Sequence, residues 1–274
     1  MCSDIDGTLL NKDRVLSRRT IKAIKAIKSI KYNIPVLLAS SRMPKAMRHL
    51  QRDLDIIKEP LIAYNGGLII DYENGEEKVL FSEGIPLDVT GLILQFVERS
   101  NIHVSLYHMD EWYVPRMDYW ADREQNNTKV RPEIADLTEV HQVWVKEQKS
   151  PHKIMCMGDA KEIQLLYKYL QMNHAETIHT YRSKDTYIEI ASKKINKLSA
   201  LIHLLKHKYI HYKLSEVVAF GDNYNDEEMI GGVGMGVAVA NARYPVKEAA
   251  NKITLSNKED GVAIALEEIF SLSI

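Results

Sequence analysis

The chain has 274 residues, 45% of them hydrophobic, and a formal net charge of -1. This length allows one large domain or two ordinary ones, and the hydrophobic fraction is ample for a packed core. Because 36 basic residues are balanced by 37 acidic ones, the composition gives no indication of binding to nucleic acid or to a membrane surface.

The sequence gives two expectations about targeting and membranes. No apolar run approaches the ~18 residues of a membrane span, and because an aspartate already stands at position 4, we expect no signal peptide. Cys2 and Cys156, the only cysteines, fit no zinc pattern and are expected to be reduced thiols. We therefore expect a cytoplasmic protein, by default a monomer.

The first predicted element is a strand over residues 1–5, followed by an acidic turn. If these residues form a strand, the side chains of Asp4 and Asp6 point to the same face, and Gly7 lets the chain turn away tightly. Two carboxylates this close repel each other, so the arrangement is costly unless a cation or an anion-coupled proton is present. Taken alone, the pattern fits an acidic turn after an edge strand equally well.

A helix and a second strand follow. Ser17 is the predicted N-cap of the helix, whose apolar positions recur at near-helical spacing at Ile21, Ile24, Ile27 and Ile30. Such a helix covers a sheet with one face and exposes its lysines on the other. The strand over residues 34–39 ends at Ser40, whose hydroxyl can donate a hydrogen bond or cap the next helix.

A third short apolar run, residues 61–64, ends at Asn65 and Gly66. Asn65 is interpreted as a residue that fixes the loop or lies on the substrate side, and a plain turn is the alternative. Farther along, Asn74 and Gly75 separate two apolar runs, a pattern that predicts a β-hairpin.

From about Pro86 the pattern changes to that of an α+β domain. Residues 118–132 are polar and are predicted to form a loop. The other predicted elements of this block are a helix over 89–97, strands over 103–107, 111–114 and 153–157, a helix over 160–172, and strands over 179–182 and 186–190.

The helix that follows begins with a lysine. Lys197 lies in its first turn, where the helix dipole opposes a cation, and an anion bound at that helix end would explain it. The alternative is a solvated lysine beside Lys193 and Lys194.

The last motif follows the apolar run 217–220 and contains Asp222, Asn225 and Asp226. A continuous apolar run is typical of a buried parallel strand, and sites in parallel sheets lie at the carboxyl ends of strands. These residues are therefore expected to converge with Asp4 and Asp6, and such oxygen ligands suit Mg²⁺. Alternatively, Asn225 or Asp226 only caps the next helix.

Asp4-Ile5-Asp6-Gly7-Thr8 and Gly221-Asp222-Asn223-Tyr224-Asn225-Asp226 resemble the first and last signature motifs of the haloacid dehalogenase superfamily. Ser40 matches its second motif and Lys197 its third, and the chain as a whole resembles the Cof-like phosphatases. The resemblance implies a doubly wound, Rossmann-like parallel sheet core, residues 1–84 and 189–274, with an inserted α+β cap domain, residues 85–188.

The resemblance also implies a Mg²⁺-dependent phosphatase that acts on small phosphorylated molecules, such as sugar phosphates or phosphorylated cofactors. It assigns Asp4 as the nucleophile that forms an aspartyl-phosphate and Asp6 as the general acid and base. Mg²⁺ would be held by Asp4, the backbone carbonyl of Asp6, and Asp222.

The remaining motif residues are expected around the phosphoryl group. The resemblance implies that Ser40 and Lys197 stabilise its charge, and that Asp226 holds the metal shell or Lys197. On the substrate and phosphate side it places Asn225, Asn65 and Gly66. Three alternatives stay open: transfer to an acceptor other than water, as in sugar phosphomutases, a non-catalytic binder of Mg²⁺ and a phosphorylated ligand, and a receiver-like domain.

Overall fold

The computed structural model describes residues 1–29, 31–73 and 75–273. Two predicted features, the apolar position at Ile30 and the turn at Asn74, fall on residues outside this description. The chain divides into two compact units. The first comprises residues 1–41, 47–80 and 196–274, and the second comprises residues 42–46 and 81–195.

The strands and helices alternate along much of the chain. In chain order the strands are β1 (Cys2–Ser3), β2 (Leu37–Ala39), β3 (Leu61–Ala63), β4 (Leu68–Glu73), β5 (Glu76–Ser82), β6 (His103–His108), β7 (Glu111–Val114), β8 (Glu133–Ile134), β9 (Lys153–Met157), β10 (Ile178–Lys184), β11 (Tyr187–Ser192), β12 (Val218–Gly221), β13 (Met235–Ala238) and β14 (Lys252–Ile253). The α-helices are α1 (Arg18–Lys28), α2 (Arg48–Asp53), α3 (Leu87–Val97), α4 (Tyr119–Thr128), α5 (Leu137–Glu147), α6 (Ala160–His174), α7 (Lys197–His207), α8 (Glu227–Gly232), α9 (Tyr244–Ala249) and α10 (Gly261–Phe270).

The first unit is built on a sheet with the strand order β14-β13-β12-β1-β2-β3-β4-β5. β1 pairs in parallel with both β12 and β2, so Cys2 lies opposite Ala219 on one side and Leu37 on the other. From β1 the sheet extends through β2 and β3 on one side and through β12, β13 and β14 on the other. The order therefore reverses between β1 and β12, where α/β sheets bind ligands at their carboxyl ends. The predicted parallel α/β core is confirmed.

Several helices of this unit contact one another. α1 contacts α10, and α8 contacts both α7 and α9. Ile24 and Ile27 of α1 are buried, as its apolar spacing predicted, whereas Ile21 is only partly buried. The N–H of Thr20 donates to the side chain of Ser17. Ser17 is thus the N-cap of α1, an interaction worth about 1 kcal/mol.

The first strand is shorter than predicted, and β2 covers only the second half of residues 34–39. β1 ends at Ser3, and Asp4 continues in extended conformation with φ -63° and ψ 163°. Residues Ile5–Leu9 then form one wide turn, in which Gly7 has φ +86°. A positive φ suits glycine because a Cβ there would strain the backbone.

The second unit contains a sheet of order β10-β11-β9-β6-β7-β8. Its pairs are antiparallel except β7 with β8. The core of this unit joins one face of the sheet to α3, α5 and α6, and it includes Val104, Leu106, Ile154, Ile188, Val89, Trp144, Ile163 and Leu166.

The predicted loop over residues 118–132 is wrong, because α4 lies within it. Asp118 begins this helix by accepting hydrogen bonds from the N–H groups of Trp120 and Ala121. A polar helix without an apolar stripe leaves no periodic pattern, so the N-cap aspartate was its main signal.

Two expectations about the whole chain concern thiols and membranes. Cys2 and Cys156 are both buried and unbridged. None of the helices among the described residues has the length and apolar character that crossing a membrane requires.

Candidate active site

A buried lysine lies between two aspartates at the carboxyl edge of the parallel sheet. Nζ of Lys197 donates to Oδ1 of Asp4 and to Oδ1 of Asp226, each at 2.6 Å. Lys197 and Asp226 have no exposed surface, and Asp4 is 5% exposed. The three side chains come from the end of β1, the start of α7 and the loop after β12, so distant parts of the chain converge here as predicted.

The first turn of α7 directs Lys197 inward. The N–H of Ser199 donates to Oδ1 of Asn196, and the N–H of Asn196 donates back to the hydroxyl of Ser199, which forms a capping box. Burial alone would lower the pKa of Lys197, but the carboxylates of Asp226 and Asp4 outweigh it and raise this pKa. The ammonium therefore stays charged, and the lysine is not solvated.

Asp222 approaches from the end of β12. Its Oδ1 accepts a hydrogen bond from the hydroxyl of Thr8 at 2.8 Å, and its carboxylate lies directly against Gly7. A Cβ at position 7 would stand 2.5 Å from Oδ2 of Asp222. The absence of a side chain at Gly7 thus allows both the positive φ of the turn and the close approach of the Asp222 carboxylate.

Asp226 fixes the loop that carries Asp222. Its Oδ2 accepts hydrogen bonds from the N–H groups of Asp222 at 2.9 Å and Asn223 at 3.0 Å, while its Oδ1 accepts from Lys197. Both oxygens are therefore engaged inside the protein. This arrangement makes Asp226 a group that orders its neighbours rather than one that reaches a ligand.

The cluster holds more negative than positive charge. Ligand oxygens of Asp4, Asp222 and Asp226 all lie within 4.8 Å of one another, with the ammonium of Lys197 among them. Burial raises the pKa of Asp4 well above its ordinary value, and burial together with the charge of Asp226 raises the pKa of Asp222 to about 7. The carboxylates of Asp4 and Asp222 fit a divalent cation, because a hard cation prefers oxygen ligands and would relieve the repulsion, while Asp226 stays bound to Lys197 and the loop backbone.

Asp6 lies beside this cluster and is more exposed. Its Oδ1 accepts a hydrogen bond from Nη2 of Arg14 at 2.6 Å, and its charge contributes to the raised pKa of Asp222. The sequence predicted that Asp4 and Asp6 share one face of a strand over residues 1–5. The observed strand ends at Ser3, so neither aspartate lies within it and this expectation is wrong.

Three residues predicted on the phosphate side are linked to one another. The N–H of Asn65 donates to the carbonyl of Ser40 at 2.9 Å, and Nδ2 of Asn225 donates to Oδ1 of Asn65 at 2.8 Å. Ser40 and Asn65 are each 1% exposed. Asn65 has φ +56°, a conformation that asparagine tolerates better than most residues. Gly66 follows, with its α-carbon against the carbonyl of Asn196.

Several contacts at the site were not indicated by the motifs. Nδ2 of Asn241 donates to the carbonyl of Gly7 at 2.8 Å, and Nδ2 of Asn257 donates to the carbonyl of Leu10 at 2.7 Å. The two asparagines are joined, since the N–H of Asn257 donates to Oδ1 of Asn241. The contacts with Gly7 and Leu10 span more than 200 residues of sequence, and no periodic pattern indicates them.

The family model for haloacid dehalogenase-like hydrolases matches residues 1–266. A Haemophilus influenzae protein whose name provisionally calls it a phosphatase is 32% identical over 98% of this chain and 97% of its own length. The Bacillus subtilis 5-amino-6-(5-phospho-D-ribitylamino)uracil phosphatase YitU is 28% identical over 98% of this chain and 96% of its own. A haloacid dehalogenase-like hydrolase structure from Bacteroides thetaiotaomicron superposes with a TM-score of 0.85 at 30% identity, covering 98% of each chain.

The chain therefore belongs to the haloacid dehalogenase-like hydrolase family, in its Cof-type branch. It is a phosphatase of that family. The resemblance drawn from the four motifs is confirmed.

Proposed function

We propose that this phosphatase hydrolyses small phosphomonoesters by a Mg²⁺-dependent mechanism in which Asp4 carries the phosphoryl group. The observation that supports this most strongly is the buried contact of Lys197 with Asp4 and Asp226. A carboxylate held by a permanently charged ammonium, beside a second acidic residue, is suited to attack a phosphorus atom. The second unit, with its separate sheet, would be the inserted cap domain.

The reaction has two steps. An oxygen of Asp4 attacks phosphorus as the bond to the leaving oxygen breaks, and Asp6 gives that oxygen a proton. Asp6 then takes a proton from water, whose oxygen attacks the aspartyl-phosphate and releases phosphate and free Asp4. Splitting one difficult hydrolysis into two easier steps is the general advantage of a covalent intermediate.

The buried cation acts on both the nucleophile and the charge that develops. Lys197 keeps the carboxylate of Asp4 in place through a 2.6 Å hydrogen bond, and its charge stabilises the phosphoryl oxygens in the transition state. Ser40 would donate a hydrogen bond to the same group. Asn225 and Asn65, with Gly66, would shape the substrate and phosphate side.

A divalent cation fits the remaining acidic residues. Mg²⁺, held by Asp4, Asp222 and the backbone carbonyl of Asp6, would neutralise the phosphoryl oxygens when bound. The chain's own contribution is to hold these oxygens ready, because Thr8 orients Asp222 and Asp226 orders the backbone around it.

The substrate class follows from the relatives as a proposal. YitU and a second Bacillus subtilis relative, YcsE, are both named for a substrate with a phosphorylated ribityl chain. We accordingly expect a phosphorylated sugar, or a cofactor or cofactor precursor with a sugar-like phosphate arm. Transfer to a sugar acceptor instead of water stays the alternative.

The test is phosphate release from a panel of sugar phosphates, phosphorylated cofactors and 4-nitrophenyl phosphate. Each is incubated with the full chain and Mg²⁺, with chelator, and with an Asp4→Asn variant. Release that requires Mg²⁺ and is lost in Asp4→Asn supports the proposal. Asp13→Asn, an exposed aspartate of the following turn, is the matched control and should behave as the parent chain.

The same experiment has an outcome that would contradict the proposal. Folded protein that binds Mg²⁺ but releases no phosphate from any compound would contradict the hydrolytic proposal. Phosphate transferred to an added sugar would then identify the phosphotransferase alternative.

A further inference from the structure

We propose that Arg14 is a positioning residue for the general acid. It holds the side chain of Asp6 where its carboxyl group, protonated for the first step, can pass the proton to the leaving oxygen. The inference rests on the proposed function, because it takes Asp6 as the acid and base of the reaction.

The contact itself is short but partly exposed. Nη2 of Arg14 donates to Oδ1 of Asp6 at 2.6 Å, and the two side chains are 46% and 36% exposed. An exposed ion pair between freely rotating side chains contributes little by itself. The contact can position Asp6 only if the backbone brings the two residues together.

The backbone does so through a closed turn. The side chain of Asn11 accepts hydrogen bonds from the N–H groups of Asp13 at 2.9 Å and Val15 at 3.2 Å. The N–H of Arg14 donates to the carbonyl of Asn11 at 3.0 Å. Arg14 itself has φ +59°, a left-handed conformation that is rare for a long side chain and persists where the surroundings enforce it.

The segment between the two residues is anchored at two points. The carbonyl of Gly7, directly after Asp6, accepts from Asn241, and the carbonyl of Leu10, directly before the turn, accepts from Asn257. The two asparagines are joined to each other. The backbone positions of Asp6 and Arg14 are therefore held close together by these hydrogen bonds.

The chemistry favours arginine for this task. Proton transfer requires the carboxyl group within hydrogen-bond reach of the leaving oxygen, and a hydrogen bond from a neighbouring residue favours one rotamer of an aspartate over the others. A guanidinium donates hydrogen bonds but does not lose its proton in proteins. The proton therefore moves only from Asp6 to the leaving oxygen, and later from water to Asp6, while Arg14 keeps its charge throughout.

Loss of Arg14 should slow the hydrolysis of esters with poor leaving groups more than that of esters with good ones. Phenol is a poorer leaving group than 4-nitrophenol, so phenyl phosphate depends more on proton donation. The experiment compares kcat/KM for these two esters in the full chain with Mg²⁺. The variant is Arg14→Asn, because asparagine tolerates the left-handed backbone and leaves the turn intact.

We expect kcat/KM for phenyl phosphate to fall about fivefold to tenfold in Arg14→Asn, a fraction of the ~10² or more that a positioned acid contributes. The value for 4-nitrophenyl phosphate should change by less than about twofold, because its leaving group needs little protonation. Arg14→Lys should restore part of the loss. Lys12→Ala, which removes an exposed charge from the same segment, should leave both values unchanged.

A double-mutant comparison isolates the route through Asp6. In an Asp6→Asn background, Arg14→Asn should cause no further loss with 4-nitrophenyl phosphate or phenyl phosphate. The inference would be overturned if Arg14→Asn lowered kcat/KM equally for both esters, or if it lowered kcat/KM by the same factor in the Asp6→Asn background. It would also be overturned if Lys12→Ala lowered kcat/KM as much as Arg14→Asn does. Turnover that survives Asp4→Asn would instead overturn the proposed function, so the two failures are distinguishable.

Discussion

Nζ of Lys197 and Oδ1 of Asp226 lie 2.6 Å apart, and neither side chain has any surface in contact with solvent. Asp4 accepts a second hydrogen bond from the same ammonium. One buried cation thus joins the residue that we propose as nucleophile to the residue that orders the loop of Asp222. The stability of the fold and the geometry of the site depend on the same three groups.

Replacing the cation should therefore affect both properties. Lys197→Met leaves two carboxylates buried without their partner, and breaking a buried ion pair costs roughly 3–5 kcal/mol. We expect the free energy of unfolding in urea to fall by about that amount and phosphate release to be lost. Lys193→Met, at an exposed neighbouring position, is the control. Unchanged stability of Lys197→Met would show that the triad is not formed as described.

The hydrogen bond from Thr8 to Asp222 should determine metal affinity. Thr8→Val keeps the shape of the buried side chain but removes the donor, and loss of such an orienting contact typically weakens metal binding ~10-fold or more. The hydroxyl also opposes the rise of the pKa of Asp222, so its loss strengthens competition by protons. Titration of phosphate release with Mg²⁺ measures the effect. Thr8→Ser should bind Mg²⁺ like the parent chain, and equal affinities in Thr8→Val and Thr8→Ser would refute this role.

A comparison of alanine substitutions at two glycines separates the stability cost of backbone strain from that of a steric clash. Gly66 has φ +105° and Gly75 φ +90°. A Cβ at position 66 would overlap the carbonyl oxygen of Asn196, whereas position 75 has no atom within 4 Å. Gly75→Ala should cost about 1 kcal/mol of stability from the left-handed backbone alone. Gly66→Ala should cost a further ~1–3 kcal/mol from overpacking and should also reduce turnover, since Asn196 caps the helix of Lys197. Denaturant unfolding of the two variants gives the comparison, and equal losses would contradict it.

A buried histidine in the second unit should make stability depend on pH. The N–H of Met109 donates to Nδ1 of His152, and Nε2 of His152 lies 3.0 Å from the hydroxyl of Ser82. Burial, with a smaller contribution from His108, lowers the pKa of His152 from 6.5 to about 3. Between these values the unfolded chain binds a proton that the folded chain does not. Stability is thus fully present above pH 6.5 and is lost as pH falls toward 3.

The expected slope is at most about 1.4 kcal/mol per pH unit for one proton. Urea unfolding between pH 7 and pH 4 measures it for the parent chain, His152→Gln and His211→Gln. The slope should decrease in His152→Gln and persist in His211→Gln, whose histidine is exposed. The same slope in all three proteins would show that His152 does not carry this dependence.

The convergence of Asp4, Lys197, Asp222 and Asp226 could be predicted because each follows a strand or begins a helix that the hydrophobic pattern reveals. The pairing of Asp6 with Arg14 and the anchoring of Gly7 by Asn241 could not. Those contacts join polar residues of loops, where no periodicity constrains the partner and the backbone path decides the distance. The polar helix α4 could not be predicted for a related reason, since it lacks an apolar stripe.

The claim at the centre of this account is that Asp4 becomes phosphorylated. Asp6→Asn removes the proposed base for the second step, so the phosphorylated form should accumulate with 4-nitrophenyl phosphate, whose leaving group needs little help from an acid. Acid quenching followed by mass spectrometry of the N-terminal peptide is the most direct measurement. We predict one added phosphoryl group on Asp4, absent in the Asp4→Asn, Asp6→Asn double variant. An unmodified Asp4 during continuing turnover, or phosphate on another residue, would contradict the account.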